Sequence, residues 1–321
     1  MSIGSLKTRS LLAIACAALL VVPLLVGGAL AKPLPRAPKC KIFPASSHWN
    51  QRVDALPVAA NSETMIESIG AGRSVHPDFG SGKWEGAPIG IPFKVVGKRQ
   101  KRVPVAFEYA DESDRGRYPI PKNAPIEGGR NGSGDRHVIV IDKHRCKLHE
   151  LYAAYPRRGG RSWRAGSGAV WNLRSNRMRP AGWTSADASG LPIFPGLARA
   201  DEVARGEIDH ALRFTASRTR RAYVYPARHF ASSSDDPSLP PMGLRVRLKS
   251  SVDLGQFRPQ ARVIARALQR YGMLLADNGS PWYISGAPDR RWNNDDLRTL
   301  KNLRGSDFEV VDTSSLPQPG R

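Results

Sequence analysis

Cysteine is scarce in this chain: Cys16, Cys40 and Cys146 are the only three in 321 residues. No cysteine nucleophile, G-x-S-x-G elbow, phosphate-binding loop, dinucleotide fingerprint, zinc finger or RNA-binding motif is present beyond the N-terminal leader. Serine-hydrolase, nucleotide-dependent and redox-cofactor chemistries are therefore without support, and neither a cofactor nor a metal is expected. Internal repeats, low-complexity linkers and breaks in composition are also missing, so one domain is the simplest organisation. Acidic residues are the minority charge, 28 against 49 Lys and Arg.

The first 31 residues read as a cleavable signal peptide. Lys7 and Arg9 precede an apolar run from Leu11 to Leu30, and Ala29-Leu30-Ala31 gives the small-x-small cleavage pattern. An uncleaved anchor and a lipid-modified Cys16 are the alternatives. Pro23, Gly27 and Gly28 favour cleavage, and the run continues well past Cys16. The mature chain is then secreted or periplasmic, begins at Lys32, and has no stable membrane insertion. In an oxidising compartment Cys40 and Cys146 most simply form one disulfide, two buried thiols being the alternative. That bridge closes a loop of about 100 residues, on the order of 4 kcal/mol in the chain-entropy model.

The leader removes two basic residues and no acidic ones, taking the formal charge from +21 to +19. Such an excess favours polyanionic partners. The charges are nevertheless spread over turns, such as Lys98 to Arg102, Arg157 to Arg164 and Arg218 to Arg221. Solvated loops explain that scatter better than a nucleic-acid site, and no nucleic-acid partner is expected.

Pro and Gly recur every few residues, as when short strands alternate with turns. Val103, Val105, Phe107 and Tyr109 alternate as a half-buried strand. Val138 to Ile141 and Cys146 to Tyr152 suggest a hairpin, Leu212 to Thr215 and Ala222 to Tyr225 a second one, and Asn278-Gly279 a turn between two further strands. Leu244, Val246 and Leu248 alternate with Arg245, Arg247 and Lys249, predicting a strand with a basic outer face. Helices are few: Ser62 to Ile69, Pro259 to Tyr271 before Gly272, and a third capped by Asn293 or Asn294. The expected fold is mainly β, a β-sandwich or jelly-roll-like single domain over residues 32–321 with two or three short packing helices.

Several stretches then stand out: HPDFGSG (76–82), YADESD (109–114), APIEGG (124–129), GDRHVIVID (134–142), RPAGWTSADASGLPI (179–193), PARHFAS (226–232), PPMGLRVRLK (240–249) and ADNGSPWYISGAPD (276–289). They resemble a family of secreted bacterial proteins to which no activity is assigned. The resemblance runs from about Cys40 to Leu316 and implies one domain, but it carries over no functional residue.

Chemistry must come from the side chains. Pairing Ile141 with Cys146 sets His137 opposite Glu150, an acid–base pair or a cross-strand ion pair. In the second hairpin, pairing Thr215 with Ala222 gathers His210, Phe214, Tyr223, Tyr225 and His229 on one face. Those residues suit a sugar cleft, two ligands of a metal, or hydrogen-bonded core histidines. Among the carboxylates, Asp111, Glu112 and Asp114 could form a calcium loop or a turn, and Asp277 would do no more than shape the turn after it. Glu127 and Asp187 sit in Gly-flanked, weakly charged loops where a side chain can be positioned. Trp84, Trp163, Trp171, Trp183, Trp282 and Trp292 sit among polar or turn residues, either for sugar stacking or as plugs under loops.

By elimination the expectation is a monomeric, secreted glycoside hydrolase acting on a neutral or acidic polysaccharide. Glu127 and Asp187 would be its catalytic carboxylates, with His210 and His229 assisting and Trp183, Tyr225 and Arg228 binding substrate. Two rivals remain. A polysaccharide lyase would use His210, Tyr225, Arg228 and His229. A non-catalytic wall- or glycan-binding protein would grip through its basic loops.

Overall fold

Val138 to Ile141 is apolar without alternation because both faces of its strand, Val138–Asp142, are covered. In the computed structural model, which describes Met1, Leu34 and residues 36–320, it lies inside a four-stranded sheet. The order is Gly168–Asn172, Lys147–Leu151, Val138–Asp142 and Phe93–Val96. The expected leader and its cleavage site lie, Met1 apart, outside the described residues.

Val138 and Val140 point to one side of that sheet, into a core shared with Tyr118, Trp163 and Ala165. Those three belong to a second four-stranded sheet, ordered Arg117–Tyr118, Val103–Phe107, Ser162–Ala165 and Tyr155–Arg157. Ile139, Ile141 and Leu148 point the other way, into the main core. Each such fully buried side chain stabilises the fold by about 1.5–3 kcal/mol relative to exposure.

The main core also covers one face of a six-stranded sheet. Its order is His76–Asp78, Tyr283–Ser285, Leu212–Ala216, Met273–Asn278, Arg245–Leu248 and Phe308–Val310. Phe214 and Phe308 stack on Trp282 with ring centroids 5.5 and 5.2 Å apart. The protein is thus mainly β with few short helices. Ser62–Ile69 ends at Gly70 with φ 118°, and Pro259–Arg270 starts on its proline and packs against Arg245–Leu248. Asn293 caps Asn294–Arg298 by accepting from the amides of Asp295 and Asp296. Cys40 and Cys146 form the disulfide and tie the N-terminal segment to the first four-stranded sheet.

Four local expectations are corrected. In the first hairpin Ile139 faces Glu150 and Ile141 faces Leu148, two residues away from the expected register. Cys146 is part of the turn, with φ 49°, and the Asp142 carboxylate accepts from the amides of His144 and Arg145. His137 is therefore not opposite Glu150. Leu212–Ala216 forms no hairpin with residues 222–225. It lies between Met273–Asn278, which is parallel to it, and Tyr283–Ser285, which is antiparallel. Met273, Leu274 and Leu275 are fully buried, whereas Val224 is 38% exposed, so apolar burial selects the distant partner. For the same reason the strands flanking Asn278-Gly279 do not pair with each other but straddle Leu212–Ala216.

The basic face of Arg245–Leu248 is largely covered rather than open to solvent. Arg245 donates to the carbonyls of His48, Gln51 and Tyr271, and Arg247 to those of Val53 and Leu56. An irregular segment leaves carbonyls without ladder partners, and guanidinium groups satisfy several at once.

Candidate active site

A charged residue inside an apolar strand has to be answered by its surroundings. Arg213 stands between Leu212 and Phe214 and is 4% exposed. Because Phe214 pairs with Ile284 and Thr215 with Tyr283, Arg213 shares its face with Ser285, and Ser285 pairs with Asp78 on the outer strand. On the other side Phe214 pairs with Leu275 but Thr215 with Asp277, so Ala276 is an extra residue in a β-bulge. The bulge turns Asp277 onto the Arg213 face, where an unbroken register would have turned it toward Phe214. One face of the six-stranded sheet therefore carries Asp78, Ser285, Arg213 and Asp277.

The loop at residues 184–191 lies over this row and holds itself together. Ser185 Oγ donates to the carbonyl of Leu191 and accepts from the amide of Asp187. Gly190 has φ 72°, and a Cβ there would meet the Trp183 carbonyl at 2.6 Å. The loop presents Asp187 to Arg213 in a two-pronged pair, with Nε to Oδ2 at 2.9 Å and Nη2 to Oδ1 at 2.7 Å. Arg213 Nη1 donates to Ser285 Oγ, and Asp277 Oδ2 lies 3.9 Å from Nη2. The Asp187 side chain is 0% exposed, that of Asp277 21%.

Burial, and then the charge of Asp187, push the Asp277 carboxyl well above the usual carboxylate range; Arg213 opposes them but does not prevail. The result is Asp187 buried against Arg213 beside a second carboxyl whose proton is held more tightly than usual, a pairing of the kind that separates acid from base.

His137 supplies the other cation. Its Nδ1 donates to Glu127 Oε2 at 2.6 Å and its Nε2 to the Ala186 carbonyl at 2.9 Å. Two acceptors require both ring nitrogens to carry protons. Burial opposes that charge, but Glu127, Asp135 and Asp187 outweigh it and raise the imidazole to about 9. Burial would raise Glu127 as well, yet the His137 charge and hydrogen bonds leave it below its ordinary value. Asp78 is shifted up by desolvation and by Glu127.

Two cavities open beside this network. The smaller, about 400 Å³, is lined by Tyr109, Glu112, Asp135, Tyr152, Asp187, His229 and Asp277 among others. The larger, about 1050 Å³, is lined by His76, Asp78, Trp84, Glu127, Tyr283 and the glycine-rich loop 128–134 among others. Between them they collect residues from seven of the stretches singled out in the sequence.

Of the expected site residues, Asp187 and His229 meet at the smaller cavity, where His229 Nδ1 donates to the Ala188 carbonyl. Glu127 faces the larger one with its side chain 25% exposed. His210 lies elsewhere: its ring nitrogens donate to Glu202 and the Ala211 carbonyl, so it does not adjoin His229 as the hairpin expectation required. Tyr225 donates to the Pro319 carbonyl, and Arg228 Nε to that of Arg179. Trp183 packs against the Arg179 guanidinium and lines neither cavity. Glu112 and Asp114 anchor the 179–184 segment by accepting from the Thr184 amide and from Arg179. Trp163, Trp171, Trp282 and Trp292 are core plugs, whereas Trp84 is 72% exposed.

Sequence reasoning missed Arg213 and took Asp277 for a turn residue. The signal for Arg213 was present, an arginine alone in the run Ala-Leu-Arg-Phe-Thr. Asp277 had no such signal, since the bulge that aims it is a property of strand pairing. No family model, curated protein or solved structure matches the chain.

Proposed function

We propose that this protein is an exported hydrolase of glycosidic bonds in an extracellular polysaccharide, with Asp277 as its general acid. The observation that carries the reading is Asp277 itself, its carboxyl pushed up by burial, set beside the buried Asp187–Arg213 pair and partly open to a 400 Å³ cavity. A glycosidic oxygen leaves readily when protonated, and a carboxyl whose hold on its proton is strengthened by burial is suited to supply it. Asp135 lines the same cavity, is exposed, and its charge acts on Asp277, which makes it the base. Asp277 protonates the departing oxygen as its bond to the anomeric carbon breaks. Asp135 takes a proton from the water whose oxygen bonds to that carbon, and the two products together gain one water.

Asp187, wholly buried, acts through Asp277 and is a positioning residue. Tyr109 and Tyr152 offer aromatic faces to sugar rings. The cavity lining contains four carboxyl residues and neither Lys nor Arg, which favours hydrolysis over elimination, since a lyase needs a cation to neutralise its uronate. The disulfide fits an oxidising compartment.

The test is mass spectrometry of products from a panel of neutral and acidic polysaccharides. Fragments heavier by one water support the proposal, with Asp277→Asn slower by at least ~100-fold. Unsaturated fragments would replace hydrolysis by elimination, and polymers bound but left intact would make this a glycan-binding protein.

A further inference from the structure

The larger cavity takes no part in the chemistry proposed above, yet it has the parts of a binding site. Trp84 is the most exposed of the large aromatic side chains among the described residues, at 72%. It is held out on a two-residue strand, Lys83–Trp84, paired with Ala87–Pro88 through a turn in which Glu85 and Gly86 have φ 49° and 83°. Positive φ at both central residues matches the twist of a tight hairpin, so the indole is presented by a defined turn. Elsewhere in the wall His76 and Tyr283 stack face to face, with centroids 4.2 Å apart and planes 16° from parallel. The carboxyls of Asp78 and Glu127 line the same space, as acceptors for hydroxyl groups.

The position of this cavity on the sheet matters as much as its lining. His76, Asp78 and Tyr283 lie on the sheet face that carries Arg213 and Asp277. The larger cavity thus lies over the edge strands, the smaller over the end of Met273–Asn278, and the Arg213 strand runs between them. Gly134 lines one and Asp135 the other, so a single loop divides them. Tyr109, 48% exposed, stands at the smaller cavity as Trp84 stands at the larger. A ligand that uses both must be long and must repeat a flat, hydroxyl-rich unit, which describes a polysaccharide chain.

We infer that the cavity between Trp84 and the His76–Tyr283 stack is a second saccharide-binding arm, which holds the polymer at a distance from the bond cleaved beside Asp277. The inference rests on the hydrolase reading for its choice of ligand. It adds that the enzyme grips a chain at two places and cuts within it.

The test compares the purified, disulfide-bonded protein with Trp84→Ala, whose side chain is too exposed for its loss to disturb the core. Binding of soluble polysaccharides is read by affinity electrophoresis in the Asp277→Asn background, and turnover is read on the active background with polymer and with the shortest oligosaccharide cleaved. Trp84→Ala should weaken polymer binding and kcat/KM on polymer at least fivefold, leave the short substrate unchanged, and be rescued in part by Trp84→Phe. Cleavage with no effect of Trp84→Ala on polymer, or an equal loss on short and long substrates, overturns the arm and leaves the hydrolase standing. Polymer binding that depends on Trp84 without any cleavage supports the arm and overturns the hydrolase. Neither binding nor cleavage overturns both.

Discussion

Arg213→Met removes the cation from an ion pair whose two members are both buried. Asp187, with a side chain 0% exposed, loses both hydrogen bonds to the guanidinium. Breaking a buried ion pair from one side costs about 3–5 kcal/mol, because the stranded charge keeps its desolvation penalty and has lost its compensation. Against a total stability of about 5–15 kcal/mol, that is a large fraction. At about 2–4 °C per kcal/mol for a large domain, the melting temperature should fall by roughly 6–20 °C. Replacing both partners, as Asp187→Leu with Arg213→Met, removes the stranded charge as well and should recover most of the loss, since an apolar pair of similar volume is often neutral. Urea unfolding followed by tryptophan fluorescence at pH 7, without reductant, measures all three proteins. A loss under about 1 kcal/mol in Arg213→Met, or a double variant no better than the single one, would refute the reasoning.

Other consequences are as specific. The His137 imidazole, raised to about 9, contributes stability that is complete below about 6.5 and disappears as pH rises through 9. That contribution is about 3 kcal/mol, and His137→Gln should abolish the slope in this window; an unchanged slope would mean that His137 is not charged in the folded protein. Asp187→Asn removes one of the charges that keep Asp277 protonated, so the alkaline limb of the pH–rate profile should move to lower pH, and a limb that stays in place would detach Asp187 from the acid. Cys40→Ser with Cys146→Ser opens a loop with a sequence separation of 106. It should cost about 4.7 kcal/mol by chain entropy, read as a shift of the urea midpoint, and an unmoved midpoint would show that the N-terminal segment is held by packing alone.

Local features were legible because their causes are local. The proline and glycine that bound Pro259–Arg270 act through their own backbone preferences, and the helix begins at Pro259 and ends just before Gly272. The unalternating run before Asp142 announced a strand, and two cysteines in an otherwise cysteine-poor chain announced their bridge. In the Gly-flanked loops, Glu127 and Asp187 each make a defined ion pair. What each pairs with was not legible. Glu127 was assigned no partner and His137 the wrong one, because a shift of two residues in one hairpin moves a pairing without changing which residues are apolar.

The chain by itself determined a β-rich protein with a few capped helices, a disulfide, and loops able to position carboxyl groups. Only the tertiary structure decided which of those carboxyls share a site. Arg213 meets Asp187 across 26 residues and Ser285 across 72. Those meetings exist because Leu212–Ala216 is inserted between two strands that the Asn-Gly turn would otherwise have joined. Strand order of that kind is chosen by the burial of whole faces, to which every strand contributes and which no short window of sequence contains. The bulge at Ala276 is chosen in the same way, and it alone turns Asp277 from a turn residue into the acid of the proposed site.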